Sequence, residues 1–259
     1  MVIADRQQVQ DGFAIVDLVE KSGATVLQAT PTLWQMLVEA GLEDKPHLKM
    51  LCGGEPMPKE LAKSLLKIGG ELWNMYGPTE TTVWSSVARI TDAEAPITIG
   101  HPIANTQLYI VDPNNDIAPI GVTGELCIGG DGLANGYFDR LDLTEKAFVP
   151  ISFGSNRPTR LYRTGDVGRR LANGSLQLLG RRDQQIKLRG FRIELGDIEA
   201  VVSKAPGVRQ CAVVAAEKKS DGKLLVGYIV PEAGAEPSAA ELSDFVTRSC
   251  PATWCRPTG

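Results

Sequence analysis

The run Asn74-Met75-Tyr76-Gly77-Pro78-Thr79-Glu80-Thr81-Thr82 sets an aromatic ring, a hydroxyl and a carboxylate on one proline-bearing turn after an apolar stretch. Those three groups suit a magnesium nucleotide. Tyr76 can stack on a base, Thr79 can donate to a phosphate oxygen, and Glu80 is a hard oxygen ligand of the kind Mg2+ takes. The same residues also suit an ordinary turn in which Thr79 caps a short helix. Gly53-Gly54-Glu55-Pro56 puts two glycines ahead of a helix start, which makes a tight turn and equally lets backbone approach a ligand closely. In Tyr162-Arg163-Thr164-Gly165-Asp166 a carboxylate sits on a Gly-Asp turn, where it can accept from two neighbouring hydroxyls such as those of a ribose. Taken alone, that stretch reads as a plain turn. Gly129-Gly130-Asp131-Gly132 lacks the G-x-G-x-x-G spacing and follows a β-rich stretch, so it reads as structural.

These residues need a frame. Ile15, Leu18 and Val19 share one face of a helix over 14–21 that Gly23 can close, and a short strand is expected over 25–28. A second helix opens at Pro31-Thr32 with Leu33, Met36 and Leu37 inward, and a strand follows over 48–52. A third helix starts at Pro58 and carries Leu61, Leu65 and Ile68. Strand and helix in alternation predict an α/β layer on a parallel sheet. Ligands of such sheets bind beyond the carboxyl ends of the strands, where Gln28, Gly53-Gly54 and residues 74–80 fall.

From Ile97 the texture changes to short strands and turns: 107–111, 124–128, 161–164, a turn at Gly165-Asp166, 169–171, the Asn173-Gly174 turn and 176–179. Past Asp183 come a strand with Ile186 and Leu188, a glycine turn, a helix over 195–204, strands over 212–216 and 224–230, and a helix over 239–248. The reading is α/β throughout. The C-terminal part of a large domain occupies 1–182, its α/β layer about 1–95 and a small β-rich subdomain about 96–182. A hinge then leads to an incomplete small α+β lobe over 183–259.

A net charge of -4 argues against a nucleic-acid surface, and 43% apolar residues suffice for a real core. No apolar run reaches membrane-spanning length and residues 1–10 hold no apolar leader core, so the expected place is the cytoplasm, away from membranes. Five scattered cysteines without a C-x-x-C pair suit reduced thiols, and two histidines leave little material for a metal-His or Ser-His-Asp site.

The runs Gly180-Arg181-Arg182-Asp183-Gln184-Gln185-Ile186-Lys187 and Arg189-Gly190-Phe191-Arg192-Ile193-Glu194-Leu195 closely resemble the hinge motif of the adenylate-forming enzymes, in the branch of nonribosomal peptide synthetase adenylation domains. Residues 74–82 match that branch as well, and the resemblance covers about residues 14–248. It implies an amino-acid-activating ligase that makes an aminoacyl-adenylate from ATP and Mg2+, then loads a phosphopantetheine thiol on a partner carrier domain. Thr79 and Glu80 are then the catalytic pair, with Glu80 on the metal. Gly54, Glu55, Pro56, Asn74, Tyr76 and Gly77 bind the nucleotide, Asp166 takes the ribose, and Arg181 lies near ribose and phosphate. Asp183 is the residue whose backbone rotates, and Lys187, Arg189 and Gly190 face the thioester-forming site. The substrate side chain is lined by Gln28, Leu51, Gly53, Met75, Val83 and Trp84. That set resembles the glycine-activating signature, with alanine the runner-up, and it offers no partner for a charged substrate. Implied partners are the amino acid and the peptidyl carrier and condensation domains of the parent synthetase.

The resemblance also implies a fragment. No Ser/Thr/Gly-rich loop ending in Pro-Lys-Gly and no pocket Asp ahead of Gln28 occurs, nor does the family's C-terminal Asn-Gly-Lys segment. Residues 250–257 can be encoded by codons that, read one nucleotide earlier, give Leu-Pro-Gly-Tyr-Met-Val-Pro, a segment the family carries there, so a frameshifted tail is expected. On these absences the chain alone is expected to be inactive. The competing readings are an acyl- or aryl-CoA ligase of the same superfamily and a non-catalytic remnant.

Overall fold

Asp11 starts the first helix, α1 (Gly12–Ser22), by accepting from the amides of Phe13 and Ala14, and Gly23 ends it in the left-handed region at φ 60°. In this computed structural model, which describes residues 2–5, 7–154, 157–183, 185–188, 191–218 and 222–249, α1 leads into β1 (Val26–Ala29). The Thr30 hydroxyl caps α2 (Pro31–Glu39), whose Pro31 spends its missing N–H where no helical bond is due. β2 (Lys49–Gly53), α3 (Lys59–Lys67), β3 (Glu71–Tyr76), β4 (Ser86–Ile90) and β5 (His101–Pro102) complete the layer.

The sheet runs β1-β2-β3-β4-β5, with β1, β2 and β3 parallel, β4 antiparallel to β3, and β5 antiparallel to β4. Met50, Cys52, Leu72, Ala88 and Ile90 pack with Trp34 and Leu37 of α2 and Leu61 and Leu65 of α3 into one apolar cluster. Strand side chains alternate between faces, so Gln28, Leu51, Gly53 and Met75 lie on the face turned away from those helices. One face of this sheet is therefore apolar and covered by helices, and the other is mixed.

The second sheet is antiparallel throughout. β6 (Thr106–Val111), β7 (Thr123–Gly130), β9 (Thr159–Arg170) and β10 (Leu176–Arg181) order as β10-β9-β7-β6, and β8 (Phe148–Ile151) also pairs with β9. Leu108, Ile110, Leu126, Ile128 and Leu176 form its core together with Tyr76, the last residue of β3. One expectation is corrected here. Gly165 and Asp166 do not turn the chain; they sit inside the twelve-residue β9, where Gly165 at φ 74° is absorbed by a register shift opposite Glu125 and Cys127. The turn at Asn173-Gly174 is present, its glycine at φ 83° with its amide on the Leu171 carbonyl. Also unread in the sequence were β4, β5, β8 and α4 (Leu141–Ala147), a helix with no buried residue and hence no apolar stripe to announce it.

The chain divides into the units Met1–Arg182 and Asp183–Gly259. In the second, β11 (Gln185–Leu188) and β12 (Phe191–Glu194) pair as a hairpin where the sequence suggested that the helix follows the glycine turn directly. α5 (Leu195–Val202) then packs Leu195, Ile198 and Val202 with Ile193 and Val213, the last on β13 (Val208–Lys218), which pairs with β14 (Gly222–Pro231). α6 (Ala239–Ser249) follows. The suspected frameshifted tail, 250–259, lies outside the described residues. Among the described residues no helix is long and apolar enough to cross a membrane.

Candidate functional site

β3 ends at Tyr76 and returns as β4 from Ser86, so the chemistry-bearing run is the connection between the last parallel strand and the first antiparallel one. Gly77 makes that reversal possible, because a Cβ there would meet the Val83 carbonyl oxygen at 2.3 Å. Thr82 and Val83 both take left-handed backbone, at φ 61° and 70°, and carry the chain back. The short 3-10 turn Thr79–Thr81 follows Pro78 and has no side-chain cap, so Thr79 is not acting as one. Its side chain is exposed. Asn74 is buried and donates from Nδ2 to the Thr98 carbonyl at 2.7 Å.

Tyr76 and Asp166 meet across the two sheets. The phenol donates to Asp166 Oδ2 at 2.5 Å, and Arg181 Nη1 donates to Oδ1 at 2.8 Å from the register position directly opposite on β10. Asp166 is 8% exposed and Tyr76 7%. Burial, then the Asp166 charge, pushes the Tyr76 phenol well above its ordinary range, which keeps it protonated and donating. An ionised carboxylate offers about four lone-pair sites, so Asp166 retains acceptor capacity for sugar hydroxyls beyond these two donors.

Glu80 is the second buried carboxylate at this end of the sheet. Tyr137 Oη donates to its Oε1 at 2.6 Å, and the Ala134 amide donates to its carbonyl at 2.9 Å. Burial, then the bond to Glu80, raises the Tyr137 phenol. The segment that brings Tyr137 here is fastened by Arg160, whose guanidinium donates to the Ala134 and Asn135 carbonyls at 2.8 and 2.9 Å and stacks 4.5 Å from the centre of the Phe148 ring. Among the described residues no group of three or more metal-type ligands exists. Magnesium at nucleotide sites is held by one or two carboxylates plus phosphates and water, and Glu80 fits as that single protein ligand.

On the mixed face of the first sheet, Gln28 aligns with Leu51 and Gly53 with Met75. The Trp84 indole covers Gly53 so closely that a Cβ there would lie 2.5 Å from Cη2 and 2.7 Å from Cζ3. Val83 points outward, 55% exposed. At the glycine turn, Gly54 adopts φ 90° and Glu55 Oε2 accepts from the Thr32 hydroxyl at 2.8 Å, which ties the turn to α2; Pro56 is exposed. In the second unit, Asp183 accepts from the Gln185 amide at 3.1 Å, and Lys187 stands opposite Arg192 in the hairpin. Arg189 and Gly190 lie outside the described residues.

Sequence reasoning missed Tyr137 and the Tyr76–Asp166 bond. It also missed Glu125, which is 7% exposed inside β7 and accepts from Arg163 Nε at 3.0 Å and Nη2 at 2.7 Å, from the Gly165 amide at 3.2 Å and from Arg182 Nη1 at 3.2 Å. A charged residue in an otherwise apolar strand was the available signal, since carboxylates are buried only when partnered.

Residues 1–138 match the model of the AMP-binding enzyme family, and residues 197–258 match that of the AMP-binding enzyme C-terminal domain. Among characterised relatives, a dimodular nonribosomal peptide synthase of Bacillus subtilis is 43% identical over 252 residues, 97% of this chain and 10% of its own length. Malpibaldin synthetase of Mortierella alpina is 40% identical over 258 residues, 97% of this chain and 5% of its own. The chain thus spans a tenth or less of these two relatives. A solved four-domain nonribosomal peptide synthetase bound to AMP and glycine is 45% identical, with a TM-score of 0.67 over 93% of this chain and 18% of that one. A synthetase protein with adenylation and carrier domains, solved with a vinylsulfonamide inhibitor, is 31% identical with a TM-score of 0.83 over 95% and 43%. The motif order, the fold and these likenesses converge: the chain belongs to the AMP-binding enzymes, in the branch of the nonribosomal peptide synthetase adenylation domains.

Proposed function

We propose that this chain forms the nucleotide-holding part and the side-chain pocket of a domain that activates glycine as its adenylate and passes it to a phosphopantetheine thiol of a carrier domain. The observation that carries the substrate reading is the Trp84 ring lying on Gly53 beside Met75, which fills the space a side chain would need. The relative solved with AMP and glycine supports the same reading. Asp166 receives the ribose hydroxyls, with Tyr76 and Arg181 holding its two oxygens in place. Glu80, oriented by Tyr137, is the protein ligand for magnesium. A cation bound there would neutralise charge on the phosphates as the substrate carboxylate attacks. Thr79 donates to a phosphate oxygen. Asp183 is the pivot between adenylation and thioester transfer, and Lys187 serves the second of these steps.

The test is amino-acid-dependent ATP–pyrophosphate exchange with this chain joined to the phosphate-loop half of a relative's adenylation domain. Glycine is the preferred substrate, and alanine is weaker by about 10- to 200-fold, the range one methylene group sets. Trp84→Ala narrows that gap and admits larger side chains. Wild-type preference for a large side chain, or an unaltered preference in the variant, would sink the assignment.

A further inference from the structure

Glu125 touches none of the groups assigned to the nucleotide, yet two of its donors are the immediate neighbours of residues that are. Gly165 precedes Asp166 and donates its amide to Glu125 Oε1 at 3.2 Å. Arg182 follows Arg181 and donates from Nη1 to Glu125 Oε2 at 3.2 Å. The two neighbours are also bonded to each other, Arg182 N to the Gly165 carbonyl at 2.9 Å. Arg163 holds the carboxylate from the other side with Nε and Nη2 on Oε2, and its own Nη1 donates to Asn115 Oδ1 at 3.1 Å. A charge 7% exposed is costly unless every bond is made, so a geometry this specific needs a reason beyond stability.

The location supplies one. β9 bulges around Gly165, and the register slip against β7 begins just past Glu125, between its pairing with Val167 and that of Cys127 with Arg163. On its β7 side the strand at this bulge lacks regular ladder bonds to fix where the next side chain points, although Asp166 keeps its pairing with Arg181 on β10. From β7, Glu125 replaces those bonds at the bulge on β9 and reaches the Arg182 guanidinium, one residue past the end of β10. We propose that Glu125 is a positioning residue for ribose recognition: it holds the Gly165 amide just before Asp166 and the Arg182 guanidinium just after Arg181, and so sets the direction of the Asp166 carboxylate. This rests on Asp166 receiving the ribose, as proposed above.

The experiment is calorimetric titration of the full chain with AMP and with 2′-deoxy-AMP. Wild type favours AMP by about tenfold or more, the worth of one hydrogen bond to a charged acceptor. In Glu125→Gln, which keeps the side chain's shape and an acceptor oxygen, the preference falls to about threefold or less because AMP binding weakens while 2′-deoxy-AMP binding hardly moves. Glu125→Asp, which keeps the charge, restores part of the preference. A purely structural role would weaken both nucleotides equally, and an equal loss, or an unaltered ratio, overturns the proposal. Should Glu125→Gln not fold, Arg163→Gln loosens the same carboxylate from its partly exposed partner and is read by the same ratio. Wild type that does not separate the two nucleotides removes the ribose reading of Asp166, and the role of Glu125 falls with it.

Discussion

At the scale of single residues, two phenols hold two carboxylates. Neither pair could be read from the sequence, since Tyr76 and Asp166 are 90 positions apart and Glu80 and Tyr137 are 57 apart. The residue types were legible; their direction was not. Tyr76 was expected to stack on a base, and its ring packs with Ile99, Leu108 and Ile110 while its hydroxyl meets Asp166. Removing that hydroxyl in Tyr76→Phe costs about 1.5–3 kcal/mol, as for other hydrogen bonds to charged groups, seen as a lower urea midpoint with an unaltered slope. The pH dependence has a definite sign. The folded-state phenol titrates well above its ordinary value of 10.0, so its contribution is whole below pH 10 and declines as pH rises toward the folded value. Cys52, which burial pushes from 9.0 to about 12, acts in the same direction between those limits. Wild-type stability therefore falls above pH 9, and Tyr76→Phe has the shallower alkaline limb above pH 10.

At the scale of elements, the helices and parallel strands of the α/β layer were legible, while its antiparallel β4 and β5 were not: Pro31 starts a helix and Gly23 ends one where sequence rules put them, and Asp11 and Thr30 add caps that the reading did not use. The β-rich region was legible only as a texture. β9 contains a Gly-Asp pair that signals a turn locally, and tertiary pairing with β7 and β10 overrides that signal. α4 buries nothing and so leaves no trace in periodicity. The segment between β7 and α4 matters most for the site, because it delivers Tyr137 to Glu80, and Arg160 is its fastener. Arg160→Ala should raise amide hydrogen exchange at Ala134, which bonds the Glu80 carbonyl, by about tenfold, the equivalent of 1.4 kcal/mol. Exchange across β6 and β7 should be unaffected; acceleration there instead would mean that Arg160 supports the sheet as a whole.

At the scale of the whole molecule, the boundary between the two units falls between Arg182 and Asp183, within the motif that the sequence marked as a hinge. Proline at 183 fixes φ at about -65°, which would block the rotation proposed for that residue. In the activated, carrier-linked domain, Asp183→Pro should preserve pyrophosphate exchange far better than thioester formation, and equal losses in both would reject the pivot. The Tyr76–Asp166 bond has a consequence in time as well. It joins the last residue of a strand in one sheet to the middle of a strand in the other, 90 residues away. A contact closing so long a loop forms after both sheets exist, because the entropy of closure is met only when the rest of the structure helps to hold the ends together. Stabilisation absent from the folding transition state appears in the unfolding rate. Tyr76→Phe should therefore speed unfolding by roughly ten- to a hundredfold, the equivalent of about 1.4–3 kcal/mol, and leave the refolding rate nearly unaltered. A ligand gripping Asp166 would act on the same limb, so that a nucleotide entering this site lengthens the lifetime of the folded module more than it hastens its assembly.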